Sequence, residues 1–369
     1  MIAPTPSAAR TTAVRDIERI CAQDLDSLAL RTQVAARISS AVERDAMCIA
    51  TIDPETLLLT GAISDGLPAD GFAIAAYNEY LVEDVHKFST LARSRRVVGI
   101  LSEATGEDPG VSHRFRSVLR TVEARYELRA AFVADGQCWG AITMLRTGGR
   151  TDFTRQDADL LQAVSAPIAI ALRRAARRPG AGTGVTFDST GAGVLILGRD
   201  DQLLTVNDAA RRWLDEFEHT VGGPRLPLAV HAVAESVRAR TRAATSPGPG
   251  CEKQAHARVR AMSGRWLTLQ ASSMEASADS ATGSGNIAVV IDAAPTSDIA
   301  QLLMLAYALT PRERQVLQQI IAGAPSAAIA AQLHVSRHTV QDHLKAIFAK
   351  VGVRSRGGLV AHVLGEHYL

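Results

Sequence analysis

Between residues 336 and 350 the chain reads SRHTVQDHLKAIFAK, and the side chains that could do chemistry there fall on one side of a helix. Arg337, His338, Gln341, Asp342, Lys345 and Lys350 form a polar face about the width a DNA major groove admits. Val340, Leu344, Ile347 and Val351, at i, i+4, i+7 and i+11, form the face that must turn inward. Gln addresses adenine, Asp accepts from cytosine N4, and Lys donates to guanine O6 and N7. The face therefore offers donors and acceptors for base edges and no hydrolytic geometry.

The helices that must hold this face are written just upstream. Thr310 as N-cap, Pro311 at the first helical position and Glu313 returning a bond to the Thr amide predict a helix starting at Pro311. Val316, Leu317, Ile320 and Ile321 give it one buried stripe, and Gly323 supplies the positive φ that ends it. Ser326 is expected to cap a short second helix through Leu333, with His334 at the break, and Ser336 to cap the third. A fourth helix is expected at 355–364, its start weakened by Gly357-Gly358 and its Leu359, Val363 and Leu364 available to pair two subunits.

These residues resemble a known family. L-T-P-R-E (309–313), I-A-A-Q-L (329–333), S-R-H-T-V-Q-D-H-L-K-A-I (336–347) and K-V-G-V-R-S-R (350–356) are similar to the LuxR-type, or NarL-type, DNA-binding domain. The resemblance covers 309–369 and implies an all-α, four-helix module whose third helix enters the major groove and whose fourth helps pair subunits on a dyad site. Carried over residue by residue, it makes Gln341, Asp342 and Lys345 base readers and places Arg337, Thr339, Arg354, Ser355 and Arg356 nearer phosphate. Ser336 and His338 complete the expected DNA-binding set. The partners implied are double-stranded promoter DNA with an inverted repeat and a second copy of the chain, with RNA polymerase a further candidate. The sequence departs from the family at Pro325, Ala327 and Ala328, where a small polar and a basic residue are usual, at His334, where Gly or a polar residue is common, and at Asp342, whose charge phosphate repels. A three-helix module that docks on a protein is the alternative reading.

Forty Lys and Arg against 38 Asp and Glu leave the whole chain near neutral, so contact with nucleic acid must be local. From residue 309 onward seven basic side chains face three acidic ones, which implies affinity that falls with salt, though not steeply. Cys21, Cys48, Cys138 and Cys251 are far apart with no C-x-x-C pair, which argues against a zinc knuckle or a disulfide framework and for small apolar groups in a reducing cytosol. A redox or haem switch through Cys48 or Cys138 is the other reading. The start of the chain lacks the apolar core of a secretory signal, and the most apolar helical run, 160–172, is too short to span a bilayer; a soluble, cytoplasmic protein is expected. No G-x-x-x-x-G-K-[ST] loop, G-x-S-x-G elbow or H-E-x-x-H run occurs, so the expectation is a protein that is not an enzyme. His334, His338 and His343 straddle a helix start, and the family has a His at the position of His343 without a metal. No metal is expected.

Upstream, 12–42 reads as one long amphipathic helix, followed by a hairpin (46–52 and 56–63), helices near 68–85 and 112–121 with a loop-rich interval between them, a second hairpin (128–134 and 138–146) and a closing helix to 178. This order, with C-W-G-A-I-T-M-L-R (138–146) and F-T-R-Q-D-A-D-L-L (153–161), resembles a GAF sensor domain. The resemblance implies space for a small-molecule effector, and Phe72, Tyr77, Tyr80, Phe88 and Trp139 are candidates to line it, although aromatics clustered in one domain are more often core than a ligand cage. No cofactor is identifiable: there is no cyclic-nucleotide signature and no Cys-His pair to anchor a bilin or haem. The order is not the α/β alternation of a phosphorylated receiver. Beyond a Gly-rich linker, G-V-L-I-L-G-R-D-D-Q-L-L-T-V-N-D-A-A (193–210) with three later strands resembles a PAS domain. The fold class expected is thus multidomain: an α+β GAF-like domain (12–178), a linker (179–184), an α+β PAS-like domain (185–292), a connecting helix (293–308) and the all-α helix-turn-helix (309–369).

Overall fold

Two antiparallel sheets of identical strand order and a helical module make up the computed structural model, which describes residues 6–68, 71–106, 108–178, 191–217, 226–243, 254–274 and 285–365. The linker expected at 179–184, Cys251 and most of the polar breaks near 245–250 and 277–285 lie outside those residues. The helix expected at 12–42 is two helices, α1 (Pro6–Ala22) and α2 (Ser27–Ser39). Asp26 causes the break: its carboxylate accepts from the Ala29 amide at 2.8 Å, an N-cap that restarts the helix in a new direction without disturbing the apolar spacing. Folding back lets Ile17, Val34 and Ile38 enter one core.

β1 (Ala46–Ile52) and β2 (Leu59–Asp65) form the expected hairpin, followed by α3 (Gly71–Leu81). The interval expected to be loop holds α4 (Phe88–Leu91), an edge strand β3 (Val98–Ile100) and α5 (Leu101–Thr105), pieces too short to display a period. After α6 (His113–Ser117) come β4 (Ala124–Ala134) and β5 (Gln137–Thr147), joined at Asp135 and Gly136 with φ of 50° and 73°, the pair of positive values a two-residue hairpin turn requires. α7 (Arg155–Ala176) starts from a capping box between Thr154 and Asp157 and lies across β4. Where β3 ends, the Ser165 hydroxyl of α7 takes over the edge of β4, donating to the Ala131 carbonyl at 2.8 Å and accepting from the Val133 amide at 3.1 Å.

The second domain runs β6 (Gly193–Leu197), β7 (Leu203–Val206), α8 (Asp208–Leu214), α9 (Leu228–Ala243), β8 (Gln254–Arg260), β9 (Trp266–Ser273) and β10 (Ile287–Ala293). Its sheet order, β7-β6-β10-β9-β8, repeats the β2-β1-β5-β4-β3 of the first. Residues 228–237 of α9 are all buried because the helix is sandwiched between its own sheet and α3 and β2 of the first domain. The two sheets consequently share one hydrophobic core. Across the same seam, Asp53 after β1 is bound by Arg258 of β8 through Nη2 at 2.7 Å, Nε at 2.9 Å and the backbone amide at 3.0 Å, with the Arg and Asp side chains 1% and 0% exposed. Burial pushes the Asp53 carboxyl up, but the hydrogen bonds and charge of Arg258 outweigh it and hold it below the usual carboxylate range.

α10 (Thr296–Ala306) joins both halves. Leu302, Leu305 and Ala306 enter the core of the two sheets, whereas Ala300 and Met304 enter that of the following helices. A helix buried on opposite sides in two different cores moves only if one of them does.

Candidate DNA-binding face and sensor cavity

The C-terminal helices are α11 (Pro311–Ile321), α12 (Ser326–Gln332), α13 (Arg337–Val351) and α14 (Arg356–Gly365). Thr310 and Glu313 make the expected capping box. Each of the first three stops is the same: after α10, α11 and α12 a residue in the left-handed region, Ala308, Gly323 and His334 respectively, completes a pair of hydrogen bonds onto the last turn. α13 ends at Gly352, also left-handed. These tight stops fix the angles at which α12 and α13 cross. Val316, Leu317, Ile320, Ile329, Val340, Leu344, Ile347 and Val351 are buried together, as the spacing requires.

The outward face of α13 is uncovered by any described residue of the upstream domains: Arg337, His338, Gln341, Asp342 and Lys345 are all exposed. Ser336 caps the helix, its Oγ accepting from the Thr339 amide at 3.0 Å and lying 2.9 Å from the Thr339 hydroxyl. Asp342 sits 3.5 Å from His338 Nε2 and 3.5 Å from Lys345 Nζ, so its negative charge is countered within the face. Gln341 Nε2 reaches the Ser326 hydroxyl at 3.5 Å.

Several residues are placed differently from the sequence reading. Ser326 is not a cap: Pro325 holds that position, and Ser326 opens α12 with its hydroxyl toward Gln341. Lys350 leaves the polar face and folds back on α11, bonding Glu313 at 2.6 Å and the Ala308 carbonyl at 3.2 Å; one turn beyond Lys345, a long side chain reaches the neighbouring helix start instead of the groove side. Arg354 and Ser355 are exposed, Ser355 accepting from the Gly358 amide at 3.0 Å as α14 begins. Arg356 donates to the Ala324 carbonyl, tying α14 to the α11–α12 turn. Leu359 and Val363, expected to face a second subunit, are buried in the module's own core. The side chain of Leu364 lies outside the described residues.

In the first domain a cavity of about 100 Å³ lies between sheet and α3. Phe72 and Phe88 line it; Tyr77, Tyr80 and Trp139 do not. The Tyr80 hydroxyl instead accepts from the Leu59 amide at 2.8 Å, Tyr77 stands against His113, and Trp139 faces the seam between the domains. Sequence reasoning missed the polar wall: Arg114 clasps Glu127 at 2.8–2.9 Å, Arg129 bonds Glu79 at 2.8 Å, and the Arg129 guanidinium lies 3.7 Å from the Phe88 ring centre. Only alternation within β4 hinted at it, since Glu127 and Arg129 share one side of that strand. Leu228 of α9 also lines the cavity, so the second domain closes it. Burial pushes the thiols of Cys21, Cys48 and Cys138 up to about 12, which leaves little thiolate for redox chemistry at neutral pH. Among the described residues no group of three His, Cys, Asp or Glu could hold a metal, and no helix is long and apolar enough to cross a membrane.

A capped, tightly turned helix pair presenting one polar helix outward is the architecture of a helix-turn-helix DNA reader, here carried behind two sheet domains. Comparison with known families makes this specific. Residues 307–363 match the family described as bacterial regulatory proteins, luxR family, and residues 24–172 match the GAF domain. The chain carries a luxR-family DNA-binding domain and, ahead of it, a GAF domain. Over 65 residues it is 38% identical to a protein of Mycobacterium tuberculosis named probable transcriptional regulatory protein NarL, a match covering 18% of this chain and 30% of that one. The chain thus matches less than a third of the length of that curated relative. Among solved structures, the GAF domain of a phosphoenolpyruvate-protein phosphotransferase from Coxiella burnetii is 15% identical, covering 47% of this chain and 96% of that one with a TM-score of 0.33. Escherichia coli SdiA is 10% identical, covering 97% and 99% with a TM-score of 0.32.

Proposed function

We propose that the protein is a cytoplasmic transcription regulator, not an enzyme, that binds an inverted-repeat promoter site as a homodimer. α13 of each subunit enters the major groove, with Gln341, Asp342 and Lys345 at base edges and Arg337, Thr339 and Arg354 toward phosphate. The observation that carries this reading is the free polar face of α13 on a luxR-family domain. Arg356 and Ser355 act first as fixings of α14, so their contribution to DNA is by holding that helix in place. The exposed surface of α14 near Ala361, not Leu359 or Val363, is available for the second subunit.

The two upstream domains supply control. The GAF domain's cavity is small, which fits an effector of a few heavy atoms or a cavity that opens to admit a larger one. The second sheet is read as PAS-like from its strand order and its opening residues. An effector that prefers one arrangement of the two sheets shifts the population competent for DNA through α10, embedded in both cores.

Selection of bound fragments from a genomic library, followed by titration of a selected fragment at several salt concentrations, tests the reading. Specific binding at a two-fold site that weakens with salt, together with a dimer in sedimentation, is the expected result. Failure to retain any fragment at low salt, with a protein co-purifying instead, would establish the docking-module reading.

A further inference from the structure

A cleft of about 490 Å³, several times the volume of the GAF cavity, lies at the seam between the two domains. The β1–β2 turn and the end of α7 form one wall, the β8–β9 hairpin the other, and Leu302 of α10 also borders it. Its volume lies in the range of small-molecule sites. Four buried polar atoms of the residues lining it have no hydrogen-bond partner: Trp139 Nε1, Arg260 Nη1, Ser263 Oγ and Trp266 Nε1. Trp139 is 4% exposed. All four can donate, and buried donors left unmet are uncommon enough to demand an explanation.

The charge of the cleft points the same way. Of the two carboxylates in its wall, Asp53 is taken by Arg258 and Asp26 by the Ala29 amide. Arg260 donates Nη2 to the Arg178 carbonyl at 2.7 Å, and among the described residues no carboxylate pairs with it. Burial and the neighbouring Arg178 charge draw it down to about 10, so it remains a cation at neutral pH. Arg260 lies 5.1 Å from the Trp266 ring centre, and a cleft whose lining supplies a desolvated cation, three other unmet donors and two indole rings is complementary to an anion with an apolar body.

We infer that this cleft binds a small organic anion, its carboxylate or phosphate meeting Arg260, Ser263 and the indole N–H groups of Trp139 and Trp266, its apolar part lying against the indole rings. The site goes beyond the DNA-binding reading and stands without it. It also has a route to that function: Trp266 packs with Ile299 and Leu303 of α10, and Tyr307 at the end of α10 bonds His362 of α14 at 2.6 Å. An occupant of the seam therefore touches the helix that carries the reader.

Benzoate, phenyl phosphate and neutral benzamide, titrated into the full chain with ¹⁵N-labelled tryptophan, provide the test. Trp213, whose Nε1 donates to the Gly191 carbonyl at 3.1 Å outside the cleft, is the internal control. The expected result is a saturable shift of the Trp139 and Trp266 indole signals with at least one anion, none at Trp213, and binding of benzamide about tenfold weaker or absent. The preferred head group follows from which anion binds more tightly. Arg260→Gln should weaken the anion about tenfold. Trp139→Phe, which keeps a ring and deletes the donor, should weaken it in a chain whose Arg260 is intact. Equal response to benzamide, equal shifts at all three tryptophans, indifference to both variants, or no shift at millimolar anion would each overturn the assignment. No readout involves DNA, so the two readings fail separately.

Discussion

The sensor half and the reader end use the same charged side chains in opposite ways. Arg258–Asp53, Arg114–Glu127 and Arg129–Glu79 are pairs whose side chains are at most 6% exposed. On α13, Asp342 is 54% exposed and its partners His338 and Lys345 are 84% and 74% exposed. A buried pair fixes geometry, because removing one member strands the other without water. An exposed pair contributes little to stability and leaves its members free to exchange each other for bases and phosphates. One half commits its charges to fixing the seam between two domains and the wall of a cavity, and the other keeps them available for a ligand.

The contrast is tested most strongly at Asp53. Asp53→Ala removes the buried partner of Arg258, leaving it the half-exposed Glu55 carboxylate at 2.8 Å and the Asp298 carbonyl at 3.3 Å, and should destabilise the chain by about 3 kcal/mol in urea unfolding, whereas Asp342→Ala on α13 should change stability by less than about 1 kcal/mol. Similar losses for the two variants would erase the distinction. The reverse holds for DNA. Lys345→Ala should cost about 1–3 kcal/mol of affinity and relax base preference while leaving unfolding unchanged. Arg354→Ala should weaken all sequences alike and lower the salt slope by about one.

The two ends also differed in how much of them could be read in advance. The reader end was legible because its signals are local: a capping box within four residues, apolar positions three and four apart, and a Gly at one helix stop. Its errors, Lys350, Leu359 and Val363, arose where a side chain answers to a neighbouring helix and not to its own. In the sensor half the succession of the longer strands and helices along the chain followed from the pattern of runs, yet the edge strand β3 and the wall of the cavity did not. Arg114 and Glu127 meet only because the long Arg114 side chain of α6 reaches β4, and Trp139 reaches the seam because a second domain packs there. Nothing in the one-dimensional pattern encodes partners that far apart, and an alternating strand records only which side a residue faces.

A smaller effect separates the helix stops of the reader end from one another. Ala308 and His334 hold left-handed φ values of 51° and 54°, where Gly323 holds 81° without a side chain to strain. His334→Gly should relieve about 1 kcal/mol, partly offset by the greater freedom of the unfolded glycine, and Gly323→Ala should cost about as much. Thermal unfolding of the two variants, with amide exchange of α12 and α13, reads the difference. Equal and opposite shifts would show that the stops set the stability of this module, among whose described residues no ion pair is buried on both sides as Asp53–Arg258 is.

The last distinction concerns pH and lies at Glu313, where the reader end comes nearest to the sensor half's way of using charge. Its carboxylate accepts from the Thr310 amide at 2.7 Å and from Lys350 at 2.6 Å. Burial pushes this carboxyl up, but the bond to Lys350 and the cap to Thr310 outweigh it and hold it below the usual carboxylate range. A carboxyl depressed in the folded state stabilises that state above its unfolded pKa and loses the contribution as pH falls through the folded one. The start of α11, and with it the Lys350 clamp on α13, should therefore loosen on acidification below the ordinary glutamate range while remaining unaffected between pH 6 and 8. Amide exchange of α11 against pH measures this. Glu313→Gln should be less stable than the native chain at neutral pH by about 1 kcal/mol, and the gap should close as the native side chain protonates. A gap that stays constant down to pH 3 would mean that the cap acts through its shape alone and that Lys350 contributes nothing to it.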